Sequence, residues 1–312
     1  MGFTGDEEVL HNFQTKAQLI QVNNKDHEKI RTVVVLPGGG QRGVVQMGVA
    51  LAFEKLNLTT AVDAVVGVSS GAGVAAYWLS GEAATGARIG IEDMVKNHFV
   101  SYVHPLRIMN ISVLETILRK IHPLSLDYFR KQRTKLLIGV TNYETGKEEF
   151  LDLKKEKDPV KCIIASVSIP VFAKNVVEIQ EHMYIDGGPG SPMPISFAIE
   201  KFKATDVLVV STRTLDYKPS FPRPIEWLFR QTVYRRLPRG VRDDLVNYDQ
   251  RYNSEFAYVM GDKKPPKGVR IATIYPKTMP LTKASKNSKL LTKVLLASEE
   301  FTLKLFKQDA LE

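Results

Sequence analysis

The sequence is poor in cysteine and contains no long hydrophobic run. Its single cysteine, Cys162, excludes an internal disulfide and a thiolate zinc cage, which indicates a reducing compartment. No stretch of about 18 apolar residues occurs, and the first ten residues carry acids rather than a basic segment followed by an apolar one. We therefore expect a cytoplasmic protein without a membrane span or a signal peptide.

The charge of the chain is unevenly distributed. Of its 312 residues, 44% are hydrophobic and 25% are charged, a composition that excludes general disorder. Residues 1–212 hold 23 basic and 23 acidic side chains, whereas residues 213–312 hold 20 and 11, so the net charge of +9 lies in this last part. Such a surface is typical of contact with anions, although a basic face can also serve solubility alone. No zinc-finger or RNP-like pattern favours nucleic acid as the partner.

A strand, a turn and a helix follow one another twice near the start of the chain. Residues 31–36 (RTVVVL) and 61–66 read as buried strands, and residues 44–56 and 72–79 read as helices. This order predicts a parallel sheet covered by helices. The pattern predicts further strands at 135–141, 148–153, 183–185, 206–211 and 269–274, and further helices at 86–98, 111–120, 158–166, 194–202 and 288–307.

Three regions follow from this pattern. We predict a polar N-terminal extension at 1–30, a catalytic core at 31–212 and a basic C-terminal region at 213–312 that packs on the core. Within that region, residues 225–237 repeat apolar side chains at every fourth position among arginines, as an interfacial helix would. A helix packed on the core with one wet face explains the repeat almost as well.

The first glycine-rich turn, Gly38 to Gly43, fits G-x-G-x-x-G between a strand and a helix. A dinucleotide fold would add an acid at the end of the second strand to bind the ribose, but Gly67 stands there. A phosphate-binding P-loop would continue with Lys and Ser or Thr, and two valines follow instead. A nucleotide-binding oxidoreductase therefore stays only as an alternative.

The second turn, Gly67-Val68-Ser69-Ser70-Gly71, fits G-x-S-x-G at a junction between a strand and a helix. Flanking glycines allow a tight turn that lifts the middle serine clear of the backbone, which favours Ser69 as a nucleophile. A serine that only caps the helix is the simpler interpretation, but Ser70 would cap equally well.

A serine nucleophile needs a base, and the sequence restricts the choice. The last of the six histidines is His182, so the order Ser, Asp or Glu, His with a distal histidine is absent. Asp186, at the end of a short strand and followed by Gly187 and Gly188, is the remaining candidate. Asp-Gly is also a common turn pair, and a purely structural turn is the alternative.

Together these motifs resemble the patatin-like phospholipases, in particular small bacterial members. The resemblance covers residues 31–212 and includes the block Ala165 to Phe172 and the proline that follows the D-G-G motif at Pro194. The short segments 251–253 and 274–276 also look like the family's tail. Two departures occur, at Pro37 before the glycines and at residues 191–192 after D-G-G, and they leave loop geometry and headgroup preference open.

The resemblance implies a role for each matched residue. Ser69 would be the nucleophile and Asp186 the base, Gly39 and Gly40 would supply an oxyanion hole, and Arg42 would face a substrate phosphate or fix the loop. The implied fold is a three-layer α/β/α arrangement with a mainly parallel sheet and the Ser–Asp dyad at its carboxyl edge.

The expected activity is hydrolysis of acyl esters of phospholipids or lysophospholipids, without a cofactor or a metal. The basic C-terminal region would hold the enzyme at an anionic membrane surface as a peripheral protein, and we expect no nucleic acid partner. A catalytically silent lipid-binding protein of the same fold is the main alternative. Oligomeric state and acyl position stay open.

Overall fold

The fold is built on a nine-stranded sheet. The computed structural model describes residues 1–101, 109–169, 176–217, 232 and 234–309. The strands are β1 (Gly2–Gly5), β2 (Thr32–Leu36), β3 (Ala64–Val68), β4 (Lys135–Asn142), β5 (Glu148–Asp152), β6 (Val177–Ile179), β7 (His182–Asp186), β8 (Asp206–Val210) and β9 (Arg270–Tyr275).

Parallel strands form the middle of the sheet. Its order is β1-β9-β8-β2-β3-β4-β7-β6, with β5 also paired to β4. The five strands from β9 to β4 pair in parallel, and the other four pair antiparallel. All five residues of β2 are buried, because helices cover both faces of the sheet. This burial explains why its sequence is a continuous apolar run.

Helices cover the two faces of the sheet as separate layers. They are α1 (Glu8–Gln21), α2 (Val44–Lys55), α3 (Ser70–Leu79), α4 (Ala83–Arg88), α5 (Met94–Lys96), α6 (Ile111–Thr116), α7 (Leu126–Lys131), α8 (Pro159–Val167), α9 (Ile195–Phe202), α10 (Arg239–Val246), α11 (Tyr248–Met260) and α12 (Ser288–Asp309). Side chains of α1, α2, α3, α8 and α12 form one core, and those of α9 and α11 form the other. The three-layer α/β/α prediction is confirmed.

Strands β3 and β7 meet end to end beside β4. Residues 137–141 of β4 pair with β5 on one side, so β3 and β7 must both lie on the other side. β3 runs parallel to β4 and ends with Val68 opposite Gly139. β7 runs the opposite way and ends with Asp186 opposite Val140. The residue after Val68 and the last residue of β7 therefore come together.

The ends of the chain are part of the sheet and its cores. The regions predicted at 1–30 and 213–312 both add strands to the sheet of the core, because β1 pairs with β9 and β9 pairs with β8. Lys16 of α1 is buried, forms an ion pair with Asp63 and donates a hydrogen bond to the Ile30 carbonyl at 2.7 Å. The first thirty residues are polar in composition, yet apolar side chains of α1, among them Val9 and Phe13, are fully buried.

Several predicted elements differ in detail. The helices expected at 86–98 and 111–120 are interrupted by π-helical turns at Ile89–Asp93 and Ile117–Ile121. The interfacial helix expected at 225–237 falls largely outside the described residues. Among the helices that are described, none has the length and apolar character needed to cross a membrane.

Candidate active site

Ser69 lies on a sharp turn between β3 and α3. Its backbone has φ 54° and ψ −124°, a left-handed conformation that is unusual for a residue with a side chain. A Cβ at Gly67 would lie 2.6 Å from the Gly71 carbonyl oxygen, and a Cβ at Gly71 would lie 2.0 Å from the Leu36 carbonyl oxygen. Both glycines of the predicted G-x-S-x-G motif are therefore required for close packing.

The Ser69 hydroxyl is not used to cap the helix. Ser69 is the N-cap residue of α3, yet its side chain accepts no capping hydrogen bond. Its position is fixed through the backbone instead: the Ser69 amide donates to Ser166 Oγ at 2.9 Å, and Ser166 Oγ donates to the Gly139 carbonyl at 2.8 Å. Ser166 is fully buried. The simpler interpretation of Ser69 as a helix cap is thus not supported.

Asp186 is buried at the end of β7, and both its backbone amide and its backbone carbonyl are hydrogen-bonded. Its amide donates to the Ser168 carbonyl at 3.0 Å, and its carbonyl accepts from Thr141 Oγ1 at 2.9 Å. Its Oδ1 accepts the Gly188 amide at 2.7 Å, so the D-G-G motif binds one oxygen of the carboxylate. Within the described part of the chain, Oδ2 is buried and has no hydrogen-bond partner.

Burial raises the pKa of the Asp186 carboxyl from 3.8 to about 6. The Gly188 amide, the Ser69 hydroxyl and the charge of Lys283 oppose this shift, in that order of importance. A carboxylate with a pKa near 6 is a stronger base than an ordinary aspartate, because it binds a proton more tightly. His182 is exposed at the other end of β7. Two cavities, described below, reach Ser69, and His182 lines neither of them.

Buried side chains hold the carbonyl groups of the glycine-rich loop. Gln46 Nε2 donates to the Pro37 carbonyl at 2.7 Å, Thr212 Oγ1 donates to the Gly38 carbonyl at 3.0 Å, and Arg42 Nε donates to the Gly39 carbonyl at 3.2 Å. Three successive carbonyls are therefore fixed by hydrogen bonds. Gln46 and Thr212 lie outside the glycine-rich motif, and no sequence pattern marked them.

The two predicted oxyanion-hole residues differ in their surroundings. The Gly39 amide donates to Ser70 Oγ at 2.9 Å. No hydrogen bond of the described residues uses the Gly40 amide. Gly40 adopts φ +59°, and a Cβ there would lie 2.5 Å from the Lys283 carbonyl oxygen. Gly40 also lines both cavities together with Ser69.

The glycines of this loop are packed against protein, which argues against a dinucleotide site. A Cβ at Gly39 would meet the Thr212 side chain at 2.6 Å. The Gln41 amide donates to the Lys283 carbonyl at 3.0 Å, so the chain near residue 283 lies directly against the loop. In a dinucleotide fold a pyrophosphate occupies the space over such glycines. Here the Thr212 side chain and the Lys283 backbone occupy the space toward which side chains at Gly39 and Gly40 would point.

Arg42 is buried behind the loop. It lines neither of the two cavities, and its Nε bonds to the Gly39 carbonyl. Burial, followed by repulsion from Arg213, lowers its pKa to about 10. Of the two roles that the resemblance offered for Arg42, this geometry favours fixing the loop over contact with a substrate phosphate.

Two cavities of different character meet at Ser69. The first, of about 110 Å³, is lined mainly by apolar side chains of α2, α3 and the segment between α4 and α8, among them Met47, Tyr77, Phe99 and Leu118. The second, of about 150 Å³, contains Asp186 and several polar side chains from the last hundred residues, among them Arg213, Tyr248 and Lys283. Ser69 therefore lies between an apolar space and a polar one.

Comparison with known proteins assigns the fold and site to a family. A three-layer α/β/α fold with a serine elbow facing a glycine loop defines a hydrolase-like architecture. A profile described as patatin-like phospholipase matches residues 34–199, more than half of the chain. The chain belongs to the patatin-like phospholipase family, which places it generally among the lipid hydrolases.

Individual relatives are distant. The chain is 24% identical over 258 residues to the uncharacterized protein YjjU of Escherichia coli strain K12, covering 79% of this chain and 68% of that protein. The crystal structure of VipD from Legionella pneumophila has 12% identity and a TM-score of 0.51, over 89% of this chain and 67% of VipD. The type III effector ExoU has 12% identity and a TM-score of 0.39, over 90% of this chain and 54% of ExoU. VipD supports the fold, and ExoU carries no further conclusion.

Proposed function

We propose that the protein hydrolyses acyl esters of phospholipids or lysophospholipids, with Ser69 as nucleophile and Asp186 as base. The observation that carries the proposal is the end-to-end meeting of β3 and β7, which brings a serine on a strained turn to a buried carboxylate. The family supplies the lipid class of substrate. The Ser69 hydroxyl makes no helix-capping hydrogen bond, and the buried Asp186 Oδ2 has no hydrogen-bond partner among the described residues.

In the proposed reaction, Ser69 Oγ attacks the acyl carbonyl carbon while Asp186 accepts the hydroxyl proton. The carbonyl oxygen becomes an oxyanion that the Gly40 amide stabilises, and one such donor is typically worth about 3 kcal/mol. Asp186 then returns the proton to the leaving alcohol, and the acyl group stays on Ser69. Water, deprotonated by Asp186, attacks the acyl carbonyl carbon of this ester. The bond to Ser69 Oγ then breaks, the fatty acid leaves, and Asp186 returns the proton to Ser69 Oγ.

The Gly39 amide is a second donor only if Ser70 releases it. In the structure Ser70 Oγ already accepts that amide. Rotation of the Ser70 side chain would free the amide for the oxyanion, whereas an unmoved Ser70 leaves Gly40 as the single loop donor. Ser70 thus becomes part of the proposed oxyanion machinery.

The apolar cavity is the proposed site of the acyl chain. Its described lining is mainly apolar and contains no charged side chain, and removing acyl methylene groups from water is favourable. The polar cavity then receives the alcohol part of the ester, because it lies on the other side of Ser69.

Membrane attachment through the basic C-terminal region is a further part of the proposal. Lys289 and Lys293 of α12 are exposed, and the neighbouring Leu296 is 54% exposed. Basic side chains near an anionic bilayer contribute up to about 1 kcal/mol each. Sedimentation with phosphatidylglycerol vesicles should therefore fall when salt is raised, and phosphatidylcholine vesicles should bind less protein.

The first experiment is labelling with a fluorophosphonate followed by intact-protein mass measurement. Wild-type protein should gain one adduct, Ser69→Ala should gain none, and the exposed-serine control Ser112→Ala should label like wild type. Ser69→Ala should also lose about a thousandfold or more of its hydrolysis of a lysophospholipid, while its thermal unfolding is retained. An unlabelled but folded wild-type protein would contradict the proposal and favour a silent lipid-binding protein.

A further inference from the structure

Arg213 is a buried cation with no counter-ion among the described residues. The side chain is only 4% exposed, and no carboxylate of the described chain lies within 4 Å of its nitrogen atoms. Its Nη2 donates to the Tyr248 hydroxyl at 3.1 Å, and its Nη1 has no hydrogen-bond partner. A buried charge of this kind is costly unless something compensates it, and such groups concentrate at functional sites.

The surrounding protein holds the guanidinium in place. The carbon atom at its centre lies 3.9 Å from the centre of the Tyr217 ring and 5.1 Å from that of the Tyr252 ring. The Arg213 amide donates to Ser211 Oγ at 3.1 Å, and that hydroxyl donates to the Arg213 carbonyl at 2.8 Å. The guanidinium is thus fixed before any ligand arrives, which lowers the entropy cost of binding.

Lys283 lines the same cavity from a different part of the chain. Desolvation by the surrounding protein, followed by repulsion from Arg213 and Arg42, lowers the pKa of Lys283 to about 8. The attraction of Asp186 opposes this shift. With this pKa, Lys283 is largely protonated at neutral pH. The carboxylates that also line this cavity are Asp186 and the exposed Asp249.

We propose that Arg213 and Lys283 bind the phosphate group of a lipid headgroup in the polar cavity next to Ser69. This inference rests on the proposed function, since the phosphate belongs to the alcohol part of the ester that Ser69 cleaves. A guanidinium with a free donor and a nearby ammonium are the groups that recognise phosphate best. Arg42, by contrast, donates its Nε to its own loop.

The placement of Arg213 follows from the sheet. Arg213 comes three residues after β8, which pairs with β2, and β2 leads into the glycine loop. Its neighbour Thr212 holds the Gly38 carbonyl of that loop. The cation therefore lies at the same edge of the sheet as Ser69, and both line one cavity.

The experiment compares two esters that differ only in the phosphate. Hydrolysis of 1-palmitoyl-lysophosphatidic acid and of 1-palmitoylglycerol is measured for wild type, Arg213→Met, Arg213→Lys and Lys283→Met. The ratio of kcat/KM for the phosphate ester to that for the neutral ester should fall at least tenfold in Arg213→Met and severalfold in Lys283→Met. Arg213→Lys should retain part of the preference. Arg31→Met and Lys25→Met, at exposed sites outside the basic C-terminal region, serve as matched controls.

Binding to Ser69→Ala protein tests the subsite without catalysis. Calorimetry with 1-palmitoyl-lysophosphatidic acid should show affinity that drops at least tenfold when Arg213→Met is added, with retained thermal unfolding as the check on folding. Inorganic phosphate and glycerol 3-phosphate, tested as inhibitors of neutral-ester hydrolysis, distinguish the sources of the phosphate. Inhibition by free phosphate without any preference for the lipid phosphate would overturn the headgroup assignment.

The outcomes separate this inference from the proposed function. Absence of hydrolysis and of fluorophosphonate labelling, together with phosphate-lipid binding that requires Arg213, would defeat the function and leave the subsite intact. Hydrolysis of both esters with a ratio that Arg213→Met and Lys283→Met leave unchanged would overturn the subsite and leave the function intact.

Discussion

Replacing Asp186 with asparagine should abolish hydrolysis and at the same time stabilise the protein at neutral pH. Asparagine matches the neutral carboxylic acid in shape and retains an oxygen to accept the Gly188 amide. It cannot take a proton from Ser69, so we expect a loss of activity close to that of Ser69→Ala. It also removes an ionised group from a buried position, and this second effect has a defined pH dependence.

The magnitude follows from the pKa. Burial raises the pKa of the Asp186 carboxyl from 3.8 to about 6 in the folded protein, so the folded state binds this proton more tightly than the unfolded chain. At about 1.4 kcal/mol for each pKa unit, ionising this group costs the folded state about 3 kcal/mol. The folded state is therefore more stable by this amount when Asp186 is protonated. The contribution is fully present below pH 3.8 and is lost as the pH rises through about 6.

The assay is urea unfolding of wild type and Asp186→Asn at pH 4.5 and pH 7.5. The advantage of Asp186→Asn over wild type should grow by about 2 kcal/mol between these values, since part of the change already lies below pH 4.5. Asp262→Asn, at an exposed position, should show no such growth. A difference that stays constant within about 0.5 kcal/mol would refute the desolvation of Asp186.

Four further predictions follow from the contacts. Ser166→Ala removes both hydrogen bonds of the Ser166 hydroxyl and should lower kcat about tenfold, whereas Ser298→Ala, which loses a single buried hydrogen bond, should keep its activity; equal kcat values would contradict the positioning role. Gly40→Ala should reduce hydrolysis at least tenfold and cost about 1–3 kcal/mol in urea unfolding, because φ is +59° there. Between pH 4.5 and pH 8, kcat/KM for a neutral ester should rise and level off above pH about 6, as Asp186 ionises; a profile flat below pH 6 would exclude it as the base. Lys16→Met should lower the free energy of unfolding by about 2 kcal/mol, because Asp63 loses its close ion-pair partner and keeps only Arg133 at 3.9 Å; an unchanged urea midpoint would show that α1 is held by apolar contacts alone.

Local patterns in the sequence predicted the parts of the fold whose causes are local. Strand β2 could be recognised because a strand buried on both faces is continuously apolar. The turn at Ser69 could be recognised because two glycines must flank it to avoid the contacts described above. By contrast, β1 is four residues long and forms only because β9 offers it an edge. No property of residues 2–5 themselves indicates that edge.

The direction of β7 and the second half of the site required tertiary information. Asp186 could be proposed from its D-G-G context, but its approach from the opposite end of β4 depends on pairing between distant residues. Ser166 lies in a recognised block, yet its bond to the Ser69 amide joins residues almost a hundred positions apart. Arg213 and Lys283 lie in no motif. Their position is set by β8 and by the loop contact near Gly40.

The residues that position Ser69 and Asp186 at the junction of β3 with β7 differ from most of those that line the apolar cavity. More than a hundred residues lie between Ser69 and Asp186, and many of them line the apolar cavity. The part of this segment between α3 and β4 can be lengthened or exchanged without moving either residue, since their spacing is set by pairing along β4. A slip of one position in that pairing would shift Asp186 by about 3.3 Å and turn its side chain to the opposite face. Acyl-chain preference is therefore free to diverge among relatives, or to be redesigned, while the register of β4 must be kept.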